Sequence, residues 1–269
     1  MIFSRENTPG VVILHIPHSS RHVPAKERQS IILNDSELRA ELLRMTDACT
    51  DELFPLTRVE AGRVIFPVSR LVCDVERFPT DQDETMAARG MGVIYTRTAM
   101  GGVLRAEPNA PTRQSILDRW YWPHHSRLER MVNDVTARLG VCLIVDCHSF
   151  PSVALPYEVD QSGYRADFCI GTDWFHTRPW VRDNLVAAAQ GTGYSVSVDA
   201  PFAGALVPLS AYRKDGRIQS VMIEVNRRLY MDEQSGLKKP AFEQVRRVVG
   251  QLIVTAAEGA ARGLPAEQC

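Results

Sequence analysis

Three apolar runs of the sequence lead into residue types that can bind a metal ion or transfer a proton. His18 follows the run at residues 11–16, His148 follows the run at 141–145, and Glu224 lies within the run at 220–226. Ligands of open α/β sheets bind beyond the carboxyl ends of the strands, where neighbouring strand ends converge. We therefore expect these three side chains to share one site.

The residue types at these positions fit a zinc-dependent hydrolase. Two imidazoles and one carboxylate, with a fourth position open to water, form the usual ligand set of a catalytic zinc ion. His18 and His148 are the natural imidazoles, and Asp47 or Asp51 offers the carboxylate. The ion would lower the pKa of its bound water from ~15.7 to about 7, and Glu224 would take the proton and pass it to the departing amine.

The carboxylate ligand is ambiguous in the sequence. Asp47 and Asp51 are four residues apart on a predicted short helix, a spacing that places both carboxylates on one helical face. Such a pair is unfavourable unless a cation or hydrogen-bond donors lie opposite. A solvated acidic face is the alternative interpretation of the same spacing.

Arg77 is a candidate for binding a carboxylate of the substrate. It follows a predicted strand at residues 71–75, which Pro67 separates from another at 63–66. Arginine is suited to bidentate recognition of carboxylates. A structural ion pair between Asp74 and Arg77 is the competing account.

Predicted strands and helices alternate along the chain. Further strands are expected at residues 168–170 and 194–198, and a hairpin turn at 214–217 joins two strand-like runs. Helices are expected from residue 35 onward and at residues 112–139, 178–190 and 240–260, with frayed residues at the end. This pattern predicts an α/β fold, with a mixed, mostly parallel sheet flanked by helices on both faces, as a single domain over residues 1–269.

Two segments of the chain carry further expectations. Residues 80–112 form a long irregular connection, which predicts a functional lid or a disordered segment. The helix at 112–139 passes through Pro123, which predicts a kink or a break there. His124 and His125 are adjacent and point about 100° apart on a helix. We expect them to support the site and not to bind one metal ion together.

The composition excludes several classes of partner. A formal net charge of −1 and scattered basic residues argue against nucleic acid and anionic membranes, and favour a small-molecule substrate. The chain has neither an apolar run of ~20 residues nor the apolar core of a secretory signal at its start, which predicts a cytoplasmic protein. Its six cysteines form no CxxC pair, and we interpret them as small apolar residues and not as disulfides or zinc ligands.

Five motifs in this order resemble those of the N-formylglutamate amidohydrolase family, which is related to the zinc carboxypeptidase and aspartoacylase group. The resemblance extends from about residue 11 to 233. The motifs are His15-Ile16-Pro17-His18-Ser19, Thr46-Asp47 with Asp51, Asp74-Val75-Glu76-Arg77, Asp146-Cys147-His148-Ser149 and Ile223-Glu224-Val225.

The resemblance implies a zinc-carboxypeptidase-like fold and a role for each matching position. His18 and His148 match the zinc histidines, Glu224 matches the general base, and Arg77 matches the arginine that binds the substrate carboxylate. The implied reaction is hydrolysis of N-formyl-L-glutamate to formate and L-glutamate, a closing step of one route of histidine degradation. A small amide with two carboxylates fits a site with an arginine, a polarised carbonyl and a proton shuttle.

The chain departs from the pattern of the wider group at two positions. Glu76 stands where the Asp-x-Asn-Arg motif has asparagine, and Arg21 stands where the His-x-x-Glu pattern has its ligand glutamate. The third ligand must then come from Asp47 or Asp51, with Asp47 slightly favoured. Arg21, so close to His18, is instead a candidate for contacting the substrate.

Other residues are candidates for the border of the pocket. Gly204, in the loop at 199–206, would allow close approach of the backbone, and four further cations could take a second carboxylate: Arg70, Arg97, Arg105 and Arg213. Two other functions remain open. One is hydrolysis of another N-acyl amino acid or of a C-terminal peptide residue, and the other is a catalytically inactive binding or regulatory protein.

Overall fold

One six-stranded sheet runs through the residues that the computed structural model describes, which are 10–261. Its strands are β1 (Val12–Ile16), β2 (Glu60–Ile65), β3 (Cys142–Phe150), β4 (Phe168–Gly171), β5 (Val196–Val198) and β6 (Ile218–Asn226). Their order across the sheet is β2-β1-β3-β6-β4-β5. All neighbouring strands are parallel except β4 and β6, which confirms the predicted mixed, mostly parallel sheet.

Helices cover both faces of this sheet, as predicted. The helices are α1 (Ala25–Arg28), α2 (Asp35–Met45), α3 (Thr50–Leu53), α4 (Ala110–Ile116), α5 (Trp122–Leu139), α6 (Pro179–Gly191) and α7 (Phe242–Ala261), with 3-10 turns at Thr85–Arg89 and Arg227–Leu229. On one face α6 and α7 pack against the larger core cluster, and on the other α5 packs against a smaller one. Among residues 10–261 no helix is both long and apolar enough to cross a membrane.

Strand alternation decides which side chains meet above each face. Ile13 and Ile144 pack in the cluster under α5, whereas Leu14 and Val145 pack on the opposite face. Because side chains alternate with a period of two, Asp146 and His148 continue the α5 face of β3. Glu224 of β6 is the register partner of His148. The carboxyl ends of β1, β3 and β6 therefore present polar groups on a single face.

The connection after α2 separates the two aspartates that the sequence placed on one helix. A capping box at Asn34 starts α2, which ends at Met45, and Cys49 has a left-handed backbone with φ of 62° before α3 begins. Asp47 therefore lies in a turn, and Asp51 lies in α3. The prediction that both occupy one short helix was wrong, because the left-handed residue interrupts the helical path.

Two other elements predicted from apolar runs are absent from the described residues. Residues 71–75 form turns, and their apolar side chains pack in a separate cluster with Phe66, Val93 and Tyr121. Residues 208–217 also form turns that lead into β6, so the predicted hairpin was wrong. Burial of an apolar run does not require a place in the sheet.

The predictions for residues 80–112 and for the helix at 112–139 are confirmed only in part. Residues 80–112 are irregular but contribute buried side chains to the core, among them Met91, Ile94 and Tyr95, which argues against a disordered segment. A π-helical turn at Leu117–Tyr121 joins α4 to α5, and Pro123 lies in the first turn of α5.

The frayed residues predicted at the end of the chain lie outside the described residues, and so does Cys269. Four cysteines are buried free thiols: Cys73, Cys142, Cys147 and Cys169.

Candidate active site

His18 lies just beyond the end of β1, with its two ring nitrogens in different surroundings. Its Nε2 lies 2.8 Å from Oδ1 of Asp74. Its Nδ1 lies 3.7 Å from Oδ2 of Asp47, and this buried nitrogen has no hydrogen-bond partner among residues 10–261. One nitrogen is therefore held by a carboxylate, and the other is available to a ligand.

His148 has the same two-sided environment at the end of β3. Its Nδ1 lies 3.0 Å from Oδ2 of Asp47, on the side of His18. Its Nε2 lies 3.1 Å from Oδ1 of Asp146 and 3.1 Å from Oε2 of Glu76. The two histidines thus approach one carboxylate oxygen from two directions.

Asp47 completes this cluster, whereas Asp51 is exposed on α3. The oxygen of Asp47 that does not face the histidines accepts a hydrogen bond from Nη2 of Arg227 at 2.9 Å. Donor atoms of His18, Asp47 and His148 all lie within 4.8 Å of one another. These three residues could hold a metal ion and are named the metal-binding group below.

The donor set of the metal-binding group fits a divalent transition metal. Two imidazoles and a carboxylate match the ligands of catalytic zinc, and the unpartnered Nδ1 of His18 points at the same place as the carboxylate. The far nitrogen of each histidine faces a further carboxylate, Asp74 or Asp146. That arrangement fixes the ring orientation of metal-bound histidines in many proteins.

Charge within the metal-binding group shifts the pKa values of its members. Burial alone would raise the pKa of Asp47, but hydrogen bonds from His148 and His18 and the charge of Arg227 lower it. Burial alone would lower the pKa of His148, but the carboxylates of Glu76 and Asp146 raise it well above its ordinary range. Without a metal ion the cluster is therefore held together by protons and ion pairs.

Asp74 connects the metal-binding group to a set of buried cations. Its second oxygen accepts hydrogen bonds from Nη2 of Arg70 at 2.7 Å and from the hydroxyl of Tyr95. Nε of Arg77 lies farther from the same oxygen, at 3.7 Å. Although burial would raise the pKa of Asp74, Arg70 and His18 hold it well below its ordinary range. The ion pair of Asp74 is thus mainly with Arg70.

Glu224 is a buried carboxylate beside the metal-binding group. It is paired in register with His148 on β3 and with Cys169 on β4. Its Oε2 is buried and has no hydrogen-bond partner within the described part of the chain. Burial raises the pKa of Glu224 to about 8. A carboxylate with a raised pKa can hold and release a proton near neutral pH.

A cavity of about 310 Å³ borders the cluster. Its wall includes Arg77, Gly204, Glu76 and Asp146, and the last two contact His148. The metal-binding group and Glu224 are not themselves among the lining residues, and Glu76 and Asp146 connect His148 to the cavity wall. Nε of Arg77 is buried and has no hydrogen-bond partner in residues 10–261, which leaves it available to a bound carboxylate.

Comparison with known proteins identifies the family. The model of the N-formylglutamate amidohydrolase family matches residues 10–231. The chain belongs to the N-formylglutamate amidohydrolase family. It is 25% identical over 260 residues to an N-formylglutamate deformylase of Pseudomonas putida, which covers 92% of this chain and 94% of the relative.

Two solved structures share the fold of this family member. A crystal structure of an N-formylglutamate amidohydrolase from Ralstonia eutropha superposes with a TM-score of 0.79 at 24% identity, covering 96% of this chain and 97% of the other. A gene product from Agrobacterium tumefaciens superposes with a TM-score of 0.64 at 17% identity, covering 93% of each chain. These likenesses support the α/β architecture over nearly the whole length of the chain.

The other residues predicted to contact the substrate have different outcomes in this amidohydrolase family member. Gly204 lines the cavity with φ of 97°, a backbone conformation that favours glycine. Arg21 is exposed, lies beside Gly236 and does not line the cavity. None of the four further cations lines it: Arg70, Arg97, Arg105 and Arg213. Arg77 is the arginine that the described residues contribute to the cavity wall.

His124 and His125 lie on α5 and do not join the metal-binding group. Nε2 of His124 lies 2.8 Å from Nε2 of His15, and Nε2 of His125 lies 2.9 Å from the carbonyl oxygen of Val75. Burial lowers the pKa of both, that of His125 to about 4. His124 therefore supports a neighbouring histidine, as expected of a residue behind the site.

Three residues around the site were not assigned a role from the sequence. His15 of β1 and Asp146 of β3 lie 2.8 Å apart. Because side chains alternate along each strand, the sequence could have predicted that both lie on the same face of the sheet as His148. Arg227 lies in the 3-10 turn after β6, where its side chain also reaches the carbonyl oxygens of Arg44 and Ser149. No pattern in the sequence around Arg227 indicates this reach.

Proposed function

We propose that the chain hydrolyses N-formyl-L-glutamate to L-glutamate and formate, using a divalent metal ion held by His18, Asp47 and His148. The observation that carries this proposal is the buried metal-binding group next to a cavity that Arg77 lines. Family membership and the deformylase relative support the choice of substrate. Zinc is the ion that the two imidazoles and one carboxylate suit best, and histidine degradation is the setting that the reaction implies.

The residues of the chain divide the chemistry among them. A zinc ion, when bound, would polarise the formyl carbonyl and lower the pKa of a coordinated water. Glu224 takes the proton of the attacking water, because it is a buried carboxylate beside the metal-binding group. The same carboxyl group then donates that proton to the nitrogen of the departing glutamate. Asp74 orients His18 through a hydrogen bond to its far nitrogen, and Asp146 lies 3.1 Å from the far nitrogen of His148.

Arg77 binds a carboxylate of the substrate in this proposal. The neighbouring Asp74 is already paired at 2.7 Å with Arg70, so the guanidinium of Arg77 is only loosely engaged by the protein. A charge-assisted hydrogen bond to a carboxylate would satisfy its unpartnered Nε. Gly204 lines the same cavity and permits a close approach of the backbone to the substrate.

Hydrolysis of three substrates, measured as release of the free amino acid, tests the proposal. The enzyme loaded with zinc is assayed on N-formylglutamate, N-acetylaspartate and a blocked dipeptide, before and after treatment with a chelator. We expect glutamate and formate from the first substrate, no free amino acid from the other two, loss of activity with the chelator, and recovery on adding zinc. Absence of formate release at any enzyme concentration would exclude the substrate, and full activity after removal of all metal would exclude the metal-dependent chemistry.

Glu224→Gln separates the catalytic role from metal binding. The variant keeps the size of the side chain but has no ionisable group, and general acid–base catalysis typically contributes about 10²–10⁴-fold to a rate. We expect kcat to fall by that factor while the zinc content stays unchanged. Undiminished turnover would show that another group moves the proton.

A further inference from the structure

A second cluster of metal-ligating residues adjoins the metal-binding group on the side of the cavity. His15, Glu76 and Asp146 also bring donor atoms within 4.8 Å of one another. Nδ1 of His15 lies 2.8 Å from Oδ1 of Asp146 and 3.3 Å from Oε1 of Glu76. His148 belongs to the metal-binding group but contacts both clusters. Its Nδ1 faces Asp47, and its Nε2 faces Glu76 and Asp146.

The second cluster leaves buried polar atoms without hydrogen bonds. Oε1 of Glu76 and Nε2 of His148 are buried and form none with residues 10–261, although oppositely charged groups are close. Unsatisfied buried polar groups are rare in native proteins, and a bound ion is one explanation for them. Tetrahedral ligands about 2.1 Å from a cation lie about 3.4 Å apart. The observed separations of 2.8–3.3 Å would need to open only slightly.

The hydrogen bonds behind the second cluster leave the right atoms free. Oδ2 of Asp146 accepts the backbone N–H of Leu206 at 3.0 Å, so Oδ1 faces His15. Nε2 of His15 lies 2.8 Å from Nε2 of His124. When Nε2 of a neutral His15 donates to His124, its Nδ1 carries the lone pair that a cation binds.

The charge of the cavity wall also calls for a cation. Four acidic residues line it, Glu76, Glu84, Asp146 and Asp173, against a single arginine among the described residues, Arg77. A substrate with two carboxylates would meet a wall with a net negative charge. One additional divalent cation at Glu76 and Asp146 would neutralise these two carboxylates at the point of the wall nearest the metal-binding group.

We propose that His15, Glu76 and Asp146 bind a second divalent cation, so that the chain carries a two-metal centre. Its open coordination position faces the cavity, because Glu76 and Asp146 line the cavity wall. A ligand set of one imidazole and two carboxylates suits Zn²⁺ or Mn²⁺. This second site goes beyond the proposed hydrolysis and does not depend on which amide the chain cleaves.

Glu76 is the residue on which the second site depends most directly. Asparagine stands at the corresponding position of the Asp-x-Asn-Arg motif that the chain resembles, and an uncharged amide is a poor ligand for these ions. Glu76→Asn and Glu76→Gln should therefore remove the second cation and leave the first. Glu84→Gln is the matched control, because Glu84 lines the same cavity but belongs to neither cluster.

The experiment counts metal ions bound to the full chain. Each protein is stripped with a chelator, dialysed against excess Zn²⁺ or Mn²⁺ and analysed by mass spectrometry for metal per chain, with thermal unfolding to verify folding. We expect two ions in the wild type and in Glu84→Gln, and one in each Glu76 variant. An anomalous-scattering map of the wild type should show two peaks, one beside His18 and one beside His15.

Several outcomes would overturn the two-metal centre. A wild type that binds one ion or none at saturating metal has no second site. Two ions in folded Glu76→Gln would place the second ion elsewhere, and no ion at all in that folded variant would show that Glu76 belongs to a single shared site. Formate release is measured separately, so a one-metal enzyme that is active would refute this inference and leave the proposed hydrolysis standing.

Discussion

Replacement of Glu224 by glutamine should stabilise the metal-free protein at alkaline pH. Glu224 is buried, and burial raises its pKa from 4.5 to about 8. Because the pKa in the folded state lies above the unfolded value, the protein has the full contribution of Glu224 to its stability below pH 4.5. It loses this stability as the pH rises towards 8, since the unfolded chain releases the proton first. Glutamine cannot ionise, so the variant does not incur this loss.

The size of the effect follows from the two pKa values. Each pH unit between them changes the free energy of unfolding by about 1.4 kcal/mol. From 4.5 to about 8, the variant should gain stability over the wild type by about 5 kcal/mol at most. Near pH 5 the two proteins should differ little. Above pH 8 the difference should stay constant, because both states of the wild type are then ionised.

Urea unfolding of chelator-treated protein measures this difference between pH 5 and 9. Glu107→Gln serves as the control, because Glu107 is exposed and its replacement should leave the unfolding midpoint unchanged at every pH. A difference between Glu224→Gln and wild type that does not grow with pH would refute the reasoning. In that case the carboxylate of Glu224 must be hydrated or paired in the folded protein. Its pKa would then not be raised by burial, and its role as a general base would need another explanation.

Three further substitutions probe the site. Asp47→Asn should lower the zinc content of the protein and Asp51→Asn should leave it unchanged, as measured by mass spectrometry. Loss of zinc from Asp51→Asn alone would show that Asp51, on α3, is the third ligand. Arg77→Ala should raise KM for N-formylglutamate by about 10–100-fold, through loss of a hydrogen bond between charged groups. The control Arg97→Ala, at an exposed position, should leave KM unchanged. Equal KM values for Arg77→Ala and the wild type would show that Arg77 does not bind the substrate carboxylate. Asp74→Asn should weaken zinc affinity by about 10–100-fold in a competition titration with a chelator; an unchanged affinity would mean that the imidazole needs no such support.

The sheet and its polar edge could be predicted because strand patterns are local. The apolar runs before His18 and His148 formed buried strands, and their ends converged as expected for parallel neighbours. The sequence limits the third metal ligand to Asp47 or Asp51 but does not choose between them. The choice depends on the turn that separates the two residues, and this turn requires the left-handed backbone of Cys49. Arg227 could not be predicted, since it reaches Asp47 from a turn that is 180 residues away in sequence.

The buried carboxylates of the two clusters differ in the groups that neutralise their charge. Asp47 and Asp74 each form an ion pair with an arginine, at 2.9 Å and 2.7 Å. Glu76 and Asp146 instead approach only histidines in the ion pairs of the described chain. Burial alone would lower the pKa of both histidines, but these carboxylates raise the pKa of His15 to about 9 and that of His148 well above its ordinary range. In the metal-free protein this carboxylate pair is therefore balanced by protons on the two histidines, and a metal ion bound at the second cluster would balance it instead while displacing those protons.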